Sequence, residues 1–447
     1  MKEQAIRWPA KTPNFVGSVN LRERAHAVIP GGCHTYAKGD DQFPESAPGF
    51  IVRGDGCFVW DFDGNRFIEY GMGLRSVTLG HGCRPVLDAA WRQMNLGLNF
   101  NRPAPVEVEC AELLLSMVPA GQMVKFAKDG STVTTAALKL ARAYTGRPMV
   151  ALCVDHPFFS YNDWFIGTTA VDAGIPEAVK ELTATFRYND LASVEAIFAR
   201  HPGRIACLIL EAARTEEPAN GFLHKVQDLC RRHGTVFVLD EMITGFRWAN
   251  GGAQAVYGLD PDLSAFGKAM GNGFSVSALV GRRELMELGG LRTRKPRVFL
   301  LSTTHGAETH CLAAAIATMR IYQSEDVIGT LQRAGERLRD GIEAAIQRNG
   351  VGDRFSVAGR PCNLLYATRD ADGNPSQSFR TLFLQETIRR GVLAPSFIVS
   401  YAHTEEAIDH TIDAVDHALA VYRRALEDGI GRYLSGPPVK PVYRTYV

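Results

Sequence analysis

Six near-continuous apolar runs, with helical spacing between them, constrain the fold of this 447-residue chain more than any other feature. The runs are Met123 to Ala127, Met149 to Val154, Ile205 to Glu211, Thr235 to Asp240, Leu263 to Phe266 and Val276 to Val280. Strands that lack polar alternation are buried on both faces, as in a parallel sheet covered by its crossover helices. After Ser131, Val133, Ala136, Ala137, Leu140, Ala141 and Tyr144 recur at i, i+3, i+4 and i+7, the stripe of such a helix. The expected fold class is α/β, with a mostly parallel, doubly wound sheet flanked by helices.

The texture differs on either side of this core. Residues 51–70, IVRGDGCFVWDFDGNRFIEY, read as a β-hairpin with turn chemistry at Gly54-Asp55-Gly56 and Asp63-Gly64-Asn65. Beyond about Ile342 the pattern gives shorter strands and a terminal helix that starts at Thr404, with Glu405 and Glu406 in its first turn. The stripe Ile408, Ile412, Val415, Leu419 and Tyr422 on that helix needs a surface to cover. Both chain ends are expected to build a smaller α+β domain, from residues 1–95 and 343–447, around a large domain of residues 96–342.

Charge narrows the partners. With 49 Lys+Arg against 48 Asp+Glu and no long basic block, neither a nucleic acid nor a membrane surface is favoured. No apolar run reaches membrane-spanning length, and Met1 to Asn14 has no apolar leader core, so the expected location is cytoplasmic. The nine cysteines are scattered without a C-x-x-C pair and the histidines show no H-E-x-x-H spacing. Neither disulfides nor a metal is expected.

Three features at strand ends carry the candidate chemistry. Thr235 to Glu241 is an apolar strand ending in two carboxylates, and ligands of open α/β sheets bind beyond such ends. Asp240 there could bind a metal, take a ribose, hold a protonated ring nitrogen or cap a helix. Lys268 follows Phe266-Gly267 and precedes Gly271 and Gly273, so backbone can approach a ligand closely. It suits a Schiff base, which needs a reachable unprotonated amine, and equally suits a flexible surface loop. Gly130-Ser131-Thr132 opens the helix after the strand Met123 to Ala127 and offers N–H groups and hydroxyls to a phosphate; Ser131 could also be a plain N-cap. One small cofactor uses all three, because pyridoxal 5'-phosphate (PLP) has a phosphate, a ring nitrogen needing a carboxylate, and an aldehyde needing a lysine.

On these residues the chain resembles the class III (subgroup II) fold-type I PLP-dependent aminotransferases, most of all their glutamate-1-semialdehyde aminomutase-like branch. The resemblance runs from about Ile29 to the C-terminus. It is carried by Pro30-Gly31-Gly32, Leu79-Gly80-His81, AALKLARAYTGR from Ala136, VLDEMITGFR from Val238 and FGKAMGNGFSVSALVGR from Phe266. It implies Lys268 as the Schiff-base lysine, Asp240 as partner of the ring nitrogen, and Met242 against one ring face. Gly130 and Ser131 match the phosphate-binding positions, and Glu211, in Glu211-Ala212, matches a Glu-Pro. A Thr of Ser302-Thr303-Thr304-His305-Gly306 would reach the phosphate of the neighbouring subunit, Thr303 first and Thr304 second, which implies a homodimer with shared active sites. Two departures stand out. The Tyr-His-Gly whose aromatic stacks on the ring is Phe158-Phe159-Ser160, leaving Phe158 to stack, and the acidic residue after the phosphate hydroxyl is missing.

The text His34 to Asp41, Gly73 to Ser76, Asp163 to Thr169 and Thr304 to Thr309 is similar to aminotransferases of sugars and aminoglycoside antibiotics of the neomycin and gentamicin type. That likeness implies amino transfer from a donor such as glutamate to an aldehyde or ketone of a sugar or aminoglycoside. Tyr36, Arg75 and Tyr161 would hydrogen-bond the polyol, or else anchor loops. An aminomutase or epimerase using the same lysine is the alternative.

Overall fold

The computed structural model describes residues 13–446. The expectation of no leader rests largely on residues 1–12, which lie outside the described residues. The described residues divide by packing into two compact units: residues 13–74, 79–83 and 329–444, and residues 75–78, 84–328 and 445–446. The divisions thus fall at 74/75, 78/79, 83/84, 328/329 and 444/445, against the 95/96 and 342/343 read from texture.

The second unit holds a seven-stranded sheet. Its strands are β1 (Met123–Ala127), β2 (Met149–Cys153), β3 (Thr183–Phe186), β4 (Ile205–Glu211), β5 (Val236–Asp240), β6 (Leu263–Phe266) and β7 (Ser277–Gly281). They lie in the order β1-β7-β6-β5-β4-β2-β3. Every residue of β2, β4, β5, β6 and β7 is buried, as the unbroken apolar runs require. β3 has no such run in the sequence. It is an edge strand that pairs only with β2 and alternates buried with more exposed residues, so its apolar signal is halved. β7 is antiparallel to both neighbours, because the connection Gly267 to Val276 is shorter than the dozen or more residues a crossover needs.

The first unit draws on both sides of the chain. Residues 51–70 form a three-stranded meander, Ile51–Asp55, Phe58–Asp61 and Arg66–Glu69, rather than a single hairpin. Its second turn is closed by Asp61, whose Oδ1 accepts from the backbone N–H groups of Asp63 and Asn65. Val392–Leu393 adds a parallel fourth strand beside Arg66–Glu69. Val59, Phe67, Leu384, Ile388 and Leu393 share one core cluster. The terminal helix Glu405–Asp428 is capped by Thr404, which accepts from Ala407 N–H, and it buries Ile408, Val415, Leu419 and Tyr422.

Candidate active site

Strand register builds the centre. Glu211 pairs with Asp240 across β4 and β5, and Asp240 with Ala265 across β5 and β6, so two carboxylates end side by side at the carboxyl edge, with Lys268 just past β6. Asp240 is 3% exposed and its Oδ1 accepts from Met242 N–H at 2.9 Å. Burial, and then the charge of Glu211, push its pKa up to about 7, with Lys268 opposing. Glu211 is also raised by burial, against the pull of Arg214, Lys268 and Arg75. Lys268 is lowered by removal from water, against Asp240 and Glu211, which favours the neutral amine a Schiff base requires. Its backbone is left-handed, φ 47°, an unusual conformation for a side-chain-bearing residue that fixes the direction in which the amine leaves the strand.

Glu241, the second acid of the pair, does different work. It is fully buried and accepts from Ala253 N–H at 2.7 Å, Gln254 N–H at 2.8 Å and the Thr244 hydroxyl. Its oxygens pin the turn that follows β5 and are taken. That turn carries Arg247, whose Nη2 donates to the carbonyl of Arg75 at 2.6 Å and to Thr78 Oγ1 at 3.1 Å.

Ser131 is not the cap of the helix Gly130–Thr145. Asp129 is, accepting from Thr132 N–H at 2.8 Å, because a residue already inside the first turn cannot turn its side chain back onto the helix's leading N–H groups. Ser131 is instead buried and accepts from Tyr161 N–H at 3.1 Å, while Thr134 donates to the carbonyl of Phe159 at 2.8 Å. Met242 lies against both glycine segments. A Cβ on Gly130 would meet its sulfur at 2.9 Å and one on Gly267 at 2.8 Å, so a side chain at either position would have to displace Met242.

The remaining expected residues are more open. Phe158 is 46% exposed and sits edge-to-face with Phe165 at 5.7 Å, whereas Phe159 is buried. Tyr161 is exposed, and Arg75 is half-buried on a left-handed backbone. Tyr36 belongs to the other unit, exposed in the short turn Tyr36–Lys38, so Tyr36, Arg75 and Tyr161 do not form one cluster within either unit. Thr303 and Thr304 are exposed and line a hollow of about 280 Å³ with Lys128, Asp129 and Thr132 of the same chain.

Three contributions escaped the sequence. His156 accepts the N–H of Glu211 on Nδ1 at 3.0 Å; burial, and then the charge of Arg214, lower its pKa to about 3 and keep it neutral. Arg214 approaches Glu211 with Nε at 3.9 Å from Oε1. Glu308, His310 and Cys311 bring one potential metal-ligand atom each within 4.8 Å of one another, although Lys128 already pairs with Glu308 at 2.8 Å and holds a positive charge where a metal would sit. A lone His, an Arg three residues past a strand end and a Glu-x-His-Cys run carry little signal of their own.

The centre fits PLP. The Glu211 Oε2 is buried without a hydrogen-bond partner, the apolar side chain of Met242 lies against Gly130 and Gly267, and a strand-end acid stands near an amine of lowered pKa. The sheet and this centre define a fold-type I PLP-dependent transferase. The sequence matches the family Aminotransferase class-III over residues 37–415, and the chain belongs to that family, whose cofactor is pyridoxal phosphate. It is 33% identical over 414 residues to the glutamate-1-semialdehyde 2,1-aminomutase of Akkermansia muciniphila, covering 88% of this chain and 96% of that one. Among solved structures, the PLP internal aldimine form of the Sphingopyxis sp. MTA144 FumI protein superposes with a TM-score of 0.84 at 28% identity, covering 92% of this chain and 97% of that one. An omega-transaminase from Sphaerobacter thermophilus gives 0.82 at 26% identity, with 92% and 98% covered. Among the described residues, no helix is long and apolar enough to cross a membrane.

Proposed function

We propose that this enzyme is an aminomutase, moving an amino group between adjacent carbons of one small substrate, with Lys268 as the Schiff-base residue and Asp240 as partner of the ring nitrogen. When bound, PLP supplies an aldehyde for the amine and a ring that accepts an electron pair. The single observation behind the site assignment is the register that seats Glu211 beside Asp240 next to Lys268. Lys268 Nζ would be the base that takes the proton from the substrate carbon bearing the nitrogen and, once protonated, the acid that gives a proton back. Asp240 holds a proton on the ring through a charge-assisted hydrogen bond, and Gly130 and Ser131 receive the phosphate at the start of their helix.

The aminomutase reading is preferred to transfer onto a sugar because the relative that matches over nearly all of its own length is a glutamate-1-semialdehyde 2,1-aminomutase. Amino transfer to a sugar or aminoglycoside aldehyde is the second reading, favoured by the change of Tyr-His-Gly to Phe158-Phe159-Ser160. A homodimer accompanies either one. Leu96, Leu98 and Phe100 are exposed, and this apolar segment is tied to the Thr303–Thr309 loop through Asn99 to the carbonyl of Thr304 and Thr309 N–H to the carbonyl of Leu98. A second copy covering it would stand next to the threonines expected to serve its phosphate.

Supplying glutamate-1-semialdehyde with no external donor tests the choice. Migration of its amino group from C2 to C1 should exceed, by about tenfold or more in kcat/KM, transfer from glutamate to a neamine-type 6'-aldehyde, a keto-sugar or succinic semialdehyde. Faster turnover of the aminoglycoside aldehyde would install the second reading instead.

A further inference from the structure

The carboxylate of Glu211 stands in the centre with little to fix it. Its Oε2 is buried with no hydrogen-bond partner, and Arg214 Nε comes no nearer to Oε1 than 3.9 Å. The placement of this side chain therefore depends on its backbone, which is held in an unusual way. β4 pairs with β2 only as far as Leu152–Ile209, two residues short of Glu211. Past that point the Glu211 N–H donates to a side chain, Nδ1 of His156, at 3.0 Å. The next residue is held as well, because the Tyr188 hydroxyl donates to the carbonyl of Ala212. An N–H and a carbonyl on successive residues at the exit of β4 are thus each tied down by a side chain from another strand's exit.

The two ties belong to one support. His156 follows β2, and its own N–H closes a turn onto the Cys153 carbonyl at 3.3 Å. Tyr188 follows β3; its N–H donates to Asp155 Oδ2 at 2.8 Å, and Arg187 Nη1 donates to Asp155 Oδ1 at 3.1 Å. The His156 and Tyr188 rings pack at 5.3 Å, with Phe159 6.0 Å from the first and Phe222 5.3 Å from the second. Farther along, Asn189 accepts from Ala219 N–H at 2.9 Å and donates to the carbonyl of Glu217 at 3.1 Å, so the segment leaving β4 is held along its length. With Nδ1 accepting, the imidazole is neutral and carries its proton on Nε2. Such an acceptor adds no charge to the Glu211–Asp240 pair, whereas a carboxylate in its place would crowd the pair with a third anion.

We infer that His156 and Tyr188 are positioning residues for the chemistry at Lys268: from behind the site they hold Glu211 beside Asp240 and so set the negative charge that the Lys268 nitrogen meets. The inference rests on the Schiff-base reading of Lys268 and extends it to residues that support the centre from outside. Four charged groups act on Lys268, Asp240 and Glu211 favouring its charged form and Arg75 and Arg247 opposing it. Of these four, Glu211 is the one whose backbone His156 holds. A buried N–H deprived of its acceptor is costly, so the strand end would shift to find another and the Glu211 carboxylate would move with it.

The test follows the visible band of the PLP-loaded protein through a pH titration, which reads proton binding at the linked Lys268 nitrogen. His156→Asn keeps an acceptor where Nδ1 stands and should titrate like wild type. His156→Gln carries its amide one carbon too far and His156→Leu has no acceptor, so both should lower the midpoint by about half a pH unit or more, roughly a threefold loss of proton affinity. Tyr188→Phe should act in the same direction and less. Glu211→Gln should lower the midpoint at least as far as His156→Leu, and adding His156→Leu to it should produce no further shift, because the charge that His156 positions is already gone. A His156→Leu protein with native circular dichroism that titrates like wild type, or that shifts the midpoint as far in the Glu211→Gln background as alone, overturns the inference. Should His156→Leu fail to fold, Asn against Gln decides it, and equal midpoints overturn it. Those outcomes leave the Schiff-base reading standing, whereas wild type that forms no borohydride-reducible link at Lys268 removes that reading and the inference with it.

Discussion

The ends of β4 to β6 and the segment Ser302–Glu308 both carry residues expected to touch the cofactor, yet they are built in opposite ways. Glu211 and Asp240 are buried, locked in register and adjoined by Lys268, so their chemistry is set by one chain's own sheet. Thr303, Thr304 and His305 are exposed, and the main anchors around them are the Lys128–Glu308 ion pair and the Asn99 bond to the Thr304 carbonyl. The first region has perturbed pKa values because water is excluded. Among the described residues the second has threonine hydroxyls with no side-chain hydrogen bond, and in the homodimer proposed above this surface would act on another copy. On that proposal the site is half preformed and half assembled.

The largest expected effect breaks the preformed half. Lys268→Ala should abolish the borohydride-reducible link and lower kcat by at least about a thousandfold, within the range of lost proton-transfer catalysis. A variant that retained the link would place the Schiff base on another amine.

Asp240→Asn should cost roughly a hundredfold in kcat, since it removes the anion facing the ring nitrogen while keeping the shape. It also sharpens the electrostatic account. With the folded pKa of Asp240 raised to about 7 from an ordinary 3.8, the folded chain without PLP binds a proton that the unfolded chain releases. The corresponding stability is fully present below about pH 3.8 and is lost as pH rises through 7. Melting temperatures of the PLP-free protein between pH 4 and 7.5 should fall less steeply for Asp240→Asn than for wild type. Parallel curves would mean that Asp240 is ionised throughout.

The assembled half gives the smallest effect. Thr303→Ala should weaken PLP about tenfold, the worth of one hydrogen bond to a charged group. Mixing it with Lys268→Ala subunits should restore wild-type PLP affinity in one site per mixed dimer, because that site combines an intact Lys268 with the other chain's intact Thr303. Equilibrium titration showing no tight fraction in the mixture would assign Thr303 to its own chain.

The core of this site was legible in the sequence because it obeys short-range rules. An apolar run that ends in Asp240, a lysine between glycines and a Gly-Ser at a helix start each occupy a strand end, and strand ends are visible as breaks in hydrophobicity. The edge strand Thr183–Phe186 lacked such a run because it alternates buried with more exposed residues. The alternative of Ser131 as a plain N-cap falls away because capping depends on where the helix starts, and Asp129 has its carboxylate positioned for Thr132 N–H.

What the sequence determined by itself was the α/β core and the PLP-dependent class, and it nominated Lys268 and Asp240 for the site, since each follows from residue type and spacing along the chain. Only the tertiary structure decided that Glu241 is a structural anchor while its neighbour Asp240 faces the centre, that His156 supports Glu211, and that Arg75 acts on both Glu211 and Lys268, Arg214 on the first and Arg247 on the second. Those roles depend on distances between segments far apart in the chain and on which charges lose their water, and neither quantity is written in local pattern.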